Sequence, residues 1–311
     1  MRYGSGDYVY TLVEEWAQLP AGYSFRDVCG IAVDRRDRVY VLNRGTRPVM
    51  VFDRDGRFRS SWGEGYFTRA HGSCIGADDV IYCTDDQNHT VTKFDLAGHV
   101  LMVLGTKDQP SDTGYQPGPD LFQSLASITH GGPPFNRPTG VALASDGSIF
   151  VADGYGNARV HRFQPDGTLI CSWGSPGTAP GQFRLPHSLR VDRWDRVWVP
   201  DRENNRIQIF TTDGDFLTQW TDVTRPTDLC IDDADVVYVS ELPRRISIFT
   251  MDGALVARWG NEGHDAQNPL FIAPHAIAID SHGDLYVGEV AMTTAKVDRG
   301  SRTIQKFHRV T

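Results

Sequence analysis

The sequence lacks long apolar runs and paired cysteines. Nowhere do about 18 apolar residues follow one another, as a membrane-spanning helix requires. Residues 1–20 carry Glu14 and Glu15 where a signal peptide would have an apolar core. The five cysteines lie far apart without a Cys-x-x-Cys pair, so we expect reduced thiols within strands. These absences predict a cytoplasmic protein with no membrane partner.

Basic charge is also scarce. The chain has 31 Lys and Arg against 39 Asp and Glu, which gives a formal net charge of −8. Affinity for nucleic acids depends mainly on clustered Lys and Arg, so we expect no nucleic-acid partner. The 31 glycines and 17 prolines are typical of a globular chain rich in turns. Nothing in the sequence indicates the oligomeric state.

What the sequence does contain is a repeat of roughly 40 residues, a period typical of propeller blades and solenoids. Each of six copies begins with a short apolar strand, predicted at Cys29–Asp34, His71–Ile75, Thr139–Leu143, His187–Asp192, Thr227–Asp232 and His275–Asp280. Further apolar strands follow, with hairpin turns such as Asp213-Gly214. Four strands per repeat make a blade, so we predict an all-β, six-bladed β-propeller in which residues 1–311 form a single domain.

Two segments stand outside the regular repeat. The last copy lacks a fourth strand, and Tyr10–Trp16 has the pattern of such a strand. We predict that this N-terminal strand completes the last blade and closes the ring, which removes exposed sheet edges. An insertion from about Lys107 to Phe135 is rich in Pro, Gly and Asp. We expect it to be a surface loop near one mouth of the central channel.

Three histidines occupy equivalent positions in the repeat. The first strand of each blade lines the channel of a propeller, and its first position here is Cys29, His71, Thr139, His187, Thr227 and His275 in chain order. Because alternate blades of six lie about 120° apart, three inward imidazoles could share one ion and leave a fourth position open, as in catalytic zinc sites. Hydrogen bonding among the histidines, threonines and ordered water is the alternative. We favour a metal, zinc or another divalent transition metal, and expect the other seven histidines at the surface.

Candidate substrate-binding residues follow the second strand in three copies. Arg44 and Arg202 occupy the same point of their copies, and Tyr155 lies one residue further on in a Gly-Tyr-Gly turn. An arginine offers a fixed fork of donors to a carboxylate or amide oxygen. A tyrosine beside a metal or a guanidinium can serve as a general base. Taken singly, each residue also suits an ordinary role as a solvated charge or a packing group.

The repeat resembles that of the NHL-repeat propellers over nearly the whole chain outside the insertion. Four segments carry a closer resemblance: Asp153–Arg159 (DGYGNAR), Gln182–Leu189 (QFRLPHSL), Asp201–Gln208 (DRENNRIQ) and Pro274–Ile277 (PHAI). They are similar to the signature segments of peptidyl-α-hydroxyglycine α-amidating lyase, also called peptidylamidoglycolate lyase. Together the four segments are far more specific than a generic NHL blade.

This resemblance implies a site and a reaction. It implies zinc on His71, His187 and His275, a catalytic Tyr155, and active-site arginines at Arg44 and Arg202. It further implies that zinc binds the hydroxyl of a carbinolamide and that cleavage of the C–N bond releases an amide and glyoxylate. We therefore predict a zinc-dependent lyase of a small-molecule or peptide-derived substrate. Two alternatives stay open: a metal-dependent hydrolase of an ester, lactone or amide on the same site, and a non-catalytic NHL interaction platform.

The sequence also departs from the family pattern. The family's calcium-binding Asp after the third histidine is Ala276 here, which argues against a structural calcium site. The Met two residues before that histidine is Ala273, which would reshape the substrate pocket. Gly156 and Ile209 stand at two places of the family's disulfide cysteines, in agreement with a reducing compartment. These departures favour retained chemistry on an altered substrate.

Overall fold

The computed structural model describes residues 1–310, and its regular secondary structure is almost wholly β-strand. The chain divides into two compact units: the central unit, Phe67–Pro226, and the termini unit, which combines Met1–Tyr66 with the residues from Thr227 onward. Thr311 lies outside the described residues. That residues 1–311 act as a single domain stays a prediction.

The termini unit opens the chain with six strands. They are β1 (Arg2–Ser5), β2 (Tyr8–Val13), β3 (Val28–Val33), β4 (Val39–Asn43), β5 (Val49–Phe52) and β6 (Phe58–Trp62). The central unit follows with twelve strands and one short helix. They are β7 (Ala70–Gly76), β8 (Val80–Asp85), β9 (Thr90–Asp95), β10 (Val100–Leu104), α1 (Leu121–Ala126), β11 (Pro138–Leu143), β12 (Ile149–Asp153), β13 (Arg159–Phe163), β14 (Leu169–Trp173), β15 (Arg190–Val191), β16 (Val197–Asp201), β17 (Arg206–Phe210) and β18 (Phe216–Trp220), with a 3₁₀ turn at Arg202–Asn204.

The remaining strands return to the termini unit. They are β19 (Pro226–Ile231), β20 (Val236–Glu241), β21 (Arg245–Thr250), β22 (Leu255–Trp259), β23 (Pro274–Ile279), β24 (Leu285–Glu289) and β25 (Ile304–Val310), with the short helix α2 (Ala291–Ala295) and a 3₁₀ turn at Gly300–Thr303. Each unit holds three antiparallel sheets: β7–β10, β11–β14 and β15–β18 in the central unit, and β3–β6, β19–β22 and β1-β2-β25-β24-β23 in the termini unit. Six sheets of this kind confirm the predicted fold class, an all-β, six-bladed β-propeller.

The last sheet takes strands from both ends of the chain, as predicted. β2 pairs antiparallel with β25, with Tyr10 opposite Arg309. Tyr10 is fully buried and its ring stacks on Trp259 with centroids 5.3 Å apart. Burial raises the pKa of Tyr10 to about 12. β1, which the sequence did not predict, adds a fifth strand to this sheet.

The predicted first strands agree with the structure to within one residue in five of the six copies. The exception is β15, which spans only Arg190–Val191 instead of starting at His187. A single bridge joins Pro186 to Asp201, and the His187 amide donates to the carbonyl of Pro200 at 2.9 Å. Backbone hydrogen bonding thus continues past the end of β15 and supports His187.

Several smaller predictions can be compared with the structure. All five cysteines lie in strands, as expected, and none of them is in a disulfide. Of the seven histidines expected at the surface, His161 is fully buried in β13, where its ring lies beside Asp153 and Ser172. Within residues 1–310, no helix combines the length and apolar character needed to cross a membrane.

The contact between Tyr10 and Trp259 should carry much of the stability of the last sheet. We expect Tyr10→Ala to lower the free energy of unfolding by about 3–5 kcal/mol, because a large buried ring leaves a void. Urea unfolding followed by tryptophan fluorescence measures the loss. The control is Leu217→Ala, whose side chain is 48% exposed and which should change stability by less than about 0.5 kcal/mol. Equal losses in both variants would contradict the assigned role of Tyr10.

Candidate metal and substrate site

A β-bulge lies at the predicted ring position in four of the sheets. The pairing of the first two strands changes register next to Cys29, His71, Thr139 and His275. A bulge leaves one residue outside the ladder and turns its side chain to a new direction. The side chains at this position therefore do not follow the alternation between the two faces of the sheet that the rest of the strand shows.

His71 is held by its Nδ1 atom. The side chain is buried, and Nδ1 lies 2.7 Å from the backbone carbonyl oxygen of Thr139. A carbonyl oxygen can only accept, so Nδ1 carries the proton and Nε2 keeps a lone pair. Nε2 lies 3.3 Å from the hydroxyl of Tyr155. This arrangement is the one that a metal-ligating imidazole requires.

His187 lies beside His71 in the central unit. The two ring centroids are 4.8 Å apart, and Nε2 of His187 lies 3.2 Å from the same Tyr155 hydroxyl. Thr139 supports both histidines, because its carbonyl accepts from His71 while its hydroxyl donates to the carbonyl of Pro186 at 2.7 Å. The threonine at this ring position is thus a support for the histidines on either side of it in the sequence.

His275 shows the same arrangement within the termini unit. Its side chain is buried, and Nδ1 lies 3.1 Å from the carbonyl oxygen of Cys29. The hydroxyl of Thr227 donates to the carbonyl of Pro274 at 3.1 Å, as Thr139 does to Pro186. Each of the three buried histidines offers one ring nitrogen as a ligand atom, and together they form a group that could hold a metal ion.

Tyr155 lies in a tight turn that requires glycine on both sides of it. A Cβ added at Gly154 would lie 2.1 Å from the carbonyl oxygen of Pro186, and one at Gly156 would lie 2.2 Å from Oδ1 of Asn136. Both distances are far below van der Waals contact, so the Gly-Tyr-Gly sequence allows the turn to pack against its neighbours. The result is a nearly buried phenol whose hydroxyl contacts His71 and His187.

Arg202 also reaches this hydroxyl. The residue opens the 3₁₀ turn after β16, and its Nη1 lies 3.4 Å from the Tyr155 oxygen. Nε donates to Glu203 at 2.8 Å, and Arg225 donates to the same carboxylate oxygen at 2.9 Å. Burial acts to raise the pKa of Glu203, but the two guanidiniums bring that pKa below its ordinary value. Glu203 therefore stays ionised and fixes the direction of Arg202.

Arg44 belongs to the termini unit. Its backbone amide donates to the carbonyl of Asp27 at 2.9 Å, and its Nη1 lies 3.5 Å from Oγ1 of Thr293. That hydroxyl donates in turn to the carboxylate of Asp27 at 2.6 Å. The structure thus brings His71, His187, Tyr155 and Arg202 together in the central unit. Arg44 and His275 are each fixed within the termini unit.

Two arginines beside Tyr155 were missed by the sequence analysis. The guanidinium carbons of Arg69 and Arg137 lie 5.7 and 5.2 Å from the centroid of the Tyr155 ring. Both approach the buried carboxylate of Asp86, which pairs with Nη1 of Arg69 and lies 3.8 Å from Nη2 of Arg137. A signal was present, because each arginine stands two residues before its ring position, as Arg225 does before Thr227.

The backbone of Arg137 is strained. Its φ of +70° lies in the left-handed region, which costs a non-glycine residue roughly 1–3 kcal/mol, and the following proline restricts it further. The amide donates to Nδ1 of His89 at 3.1 Å, and the carbonyl accepts from the Tyr155 amide at 3.4 Å. Burial lowers the pKa of His89, which favours the neutral ring needed to accept. The strained residue therefore helps to position Tyr155.

Buried acids at the ends of second strands hold the segments that lead to the histidines. The carboxylates accept backbone amides two residues before each ring position: Asp85 from Arg69 at 3.0 Å, Asp201 from Leu185 at 3.2 Å and Glu289 from Ala273 at 2.9 Å. Burial raises the pKa of Asp201 and of Glu289. These acids support the site from behind, a role that the sequence analysis did not assign.

The insertion forms one wall of the site. Leu125 and Ile128, on and just after α1, pack with Tyr155 in one buried cluster, against which Tyr115 also packs. The hydroxyl of Thr113 donates to the carbonyl of Gly156 at 2.6 Å. The segment expected to be a surface loop is therefore fastened to the turn that carries Tyr155.

Comparison with known proteins shows which family and which relatives this chain is similar to. The NHL repeat family matches residues 135–163 and 183–210. The peptidylglycine alpha-amidating monooxygenase of Rattus norvegicus is 32% identical over 244 residues, which cover 67% of this chain and 23% of that protein. The probable peptidyl-alpha-hydroxyglycine alpha-amidating lyase of Caenorhabditis elegans is 28% identical over 273 residues, which cover 80% of this chain and 69% of that protein.

A solved structure supports the fold alone. A gluconolactonase of Xanthomonas campestris matches with a TM-score of 0.61 at 14% identity, over 99% of this chain and 94% of that one. The chain spans less than a quarter of the rat protein's length, so the activity of that whole protein does not transfer with the match. The NHL match and the named relatives confirm the resemblance inferred from the sequence. The chain is an NHL-repeat β-propeller whose relatives include peptidyl-alpha-hydroxyglycine alpha-amidating lyases.

Proposed function

We propose that the protein is a metal-dependent lyase that cleaves the C–N bond of a carbinolamide, a peptidyl-α-hydroxyglycine-like substrate, to an amide and glyoxylate. The observation that carries the proposal is the placement of the Tyr155 hydroxyl, 3.3 Å from Nε2 of His71 and 3.2 Å from Nε2 of His187. A proton acceptor thus lies next to two potential metal ligands. The lyases among the named relatives support the same reaction class.

The donor set fits a divalent transition metal, with zinc as our proposal. His71, His187 and His275 would hold it, and the Nδ1 hydrogen bonds of His71 and His275 leave their Nε2 lone pairs available. Imidazole is a usual zinc ligand, and a three-histidine site leaves a fourth position for substrate. When bound, the metal supplies Lewis-acid polarisation of the substrate hydroxyl.

The side chains of this chain would handle the substrate's proton and charge. In the reaction the carbinol O–H loses its proton, the C–N bond breaks as the C=O of glyoxylate forms, and the amide nitrogen gains a proton. Tyr155 relays this proton: it accepts the proton from the substrate hydroxyl and donates it to the amide nitrogen, so no proton is gained or lost overall. Arg202, held by Glu203, and Arg44 bind the carboxylate of the glyoxylate half through their guanidinium forks.

The first test is the metal content. We expect about one equivalent of a divalent metal per purified chain, with zinc the main species, and less than about a tenth of an equivalent in His187→Ala, because two ligands hold the ion poorly. Inductively coupled plasma mass spectrometry measures both. The control is His99→Ala, which removes a histidine that is 78% exposed and should keep the metal. A metal-free wild type would favour the interaction platform.

The second test is the product. With α-hydroxyhippurate in ¹⁸O-water, the lyase should form benzamide and glyoxylate, since the acyl carbon is not attacked. Mass spectrometry identifies the product and its isotope content. Formation of ¹⁸O-labelled benzoate instead would mean that water attacks the acyl group, and the hydrolase would then be the correct assignment.

The third test is the role of Tyr155. We expect Tyr155→Phe to lower kcat by about 10²–10⁴-fold, because a positioned proton acceptor is lost. Metal content should stay unchanged, since the phenol is not among the proposed ligands. Tyr8→Phe, which alters a half-buried tyrosine of β2, serves as the control and should keep full kcat. A Tyr155→Phe variant with wild-type kcat would remove Tyr155 from the mechanism.

A further inference from the structure

Three arginines lie around the ring of Tyr155, and the proposed reaction uses only one of them. Within the central unit, the guanidiniums of Arg69, Arg137 and Arg202 lie 5.2–5.7 Å from the centroid of the Tyr155 ring. They belong to two separate groups. Arg202 shares Glu203 with Arg225, whereas Arg69 and Arg137 share Asp86. In each group one carboxylate joins two guanidiniums.

We assign the substrate carboxylate to Arg202. The proposed reaction gives no role to Arg69 and Arg137. Asp86 is fully buried, while each arginine side chain is 22% exposed. The acid therefore holds both guanidiniums while part of each arginine side chain stays accessible to solvent.

Tyr115 completes this arrangement from the insertion. Its hydroxyl accepts from Nη1 of Arg137 at 2.7 Å, and the Arg137 guanidinium lies 5.7 Å from the Tyr115 ring centroid. Nε of Arg137 is fixed by the carbonyl of Asp86 at 3.1 Å. Within residues 1–310 the Tyr115 proton has no acceptor, so it can be donated to a ligand. Two guanidiniums and one hydroxyl are a donor set suited to a carboxylate.

We propose that Arg69, Arg137 and Tyr115 form an anion subsite that selects substrates with a second carboxylate on the acyl side of the C–N bond. The position of that bond rests on the proposed function. The substrate class is an N-acyl-α-hydroxyglycine whose acyl chain ends in a carboxylate, such as a succinyl group. The subsite acts in binding and takes no part in bond cleavage.

The kinetic experiment compares N-succinyl-α-hydroxyglycine with N-succinamoyl-α-hydroxyglycine, which has nearly the same size but a neutral amide in place of the distal carboxylate. We expect wild type to prefer the acid by about tenfold or more in kcat/KM. Arg137→Gln and Arg69→Gln should each reduce this preference by about tenfold, while Arg137→Lys should retain part of it. Arg193→Gln removes one exposed positive charge from the turn after β15 and should leave the preference intact.

A binding experiment keeps the inference separable from the reaction. N-succinylglycine and N-succinamoylglycine lack the hydroxyl and cannot be cleaved, so isothermal titration calorimetry on the metal-loaded protein reports binding alone. We expect the acid to bind at least about tenfold more tightly, and Arg137→Gln to abolish that difference. If neither carbinolamide is cleaved, the proposed function fails and the binding result alone judges the subsite. Equal binding of both compounds, or an acid preference that survives both Gln variants, overturns it.

Discussion

The hydrogen bond from Nδ1 of His71 to the backbone carbonyl of Thr139 determines how this histidine can act. It fixes the tautomer and turns the Nε2 lone pair toward Tyr155. The acceptor belongs to the first strand of the next sheet. The packing of these two sheets therefore also sets the orientation of the His71 ring. His275 obeys the same rule through the carbonyl of Cys29. The site is therefore organised by main-chain atoms, which sequence changes alter least.

Much of the fold could be predicted because it follows local rules. The apolar first strands and the Asp-Gly turns recur with a period typical of propeller blades, and they placed His71, His187 and His275 at one register position. The bulges at that position could not be predicted, because a bulge depends on the pairing of two strands. Arg69 and Arg137 were missed for a related reason. Their direction depends on Asp86 and, for Arg137, on a left-handed backbone conformation, and their shared place in the repeat does not reveal either.

The departures from the lyase family have structural counterparts. Ala276 is buried in an apolar cluster that includes Val28 and Tyr286, so a calcium-binding carboxylate has no place there. Ile209 is buried in β17, and the carbonyl of Gly156 accepts from Thr113. Hydrogen bonding and close packing thus stabilise the regions where the family has cysteines. The three histidines, by contrast, form a group that could hold a metal ion.

The attachment of the insertion has an evolutionary consequence. Tyr115, Leu125 and Ile128 contribute to the wall around Tyr155, yet none of them belongs to a sheet. Mutations in this stretch can change the shape and polarity of the surroundings of Tyr155 at little cost to the sheets, to which none of the three residues belongs. Homologous chains with the same imidazoles but different segments at this point should therefore have diverged in ligand preference sooner than in chemistry.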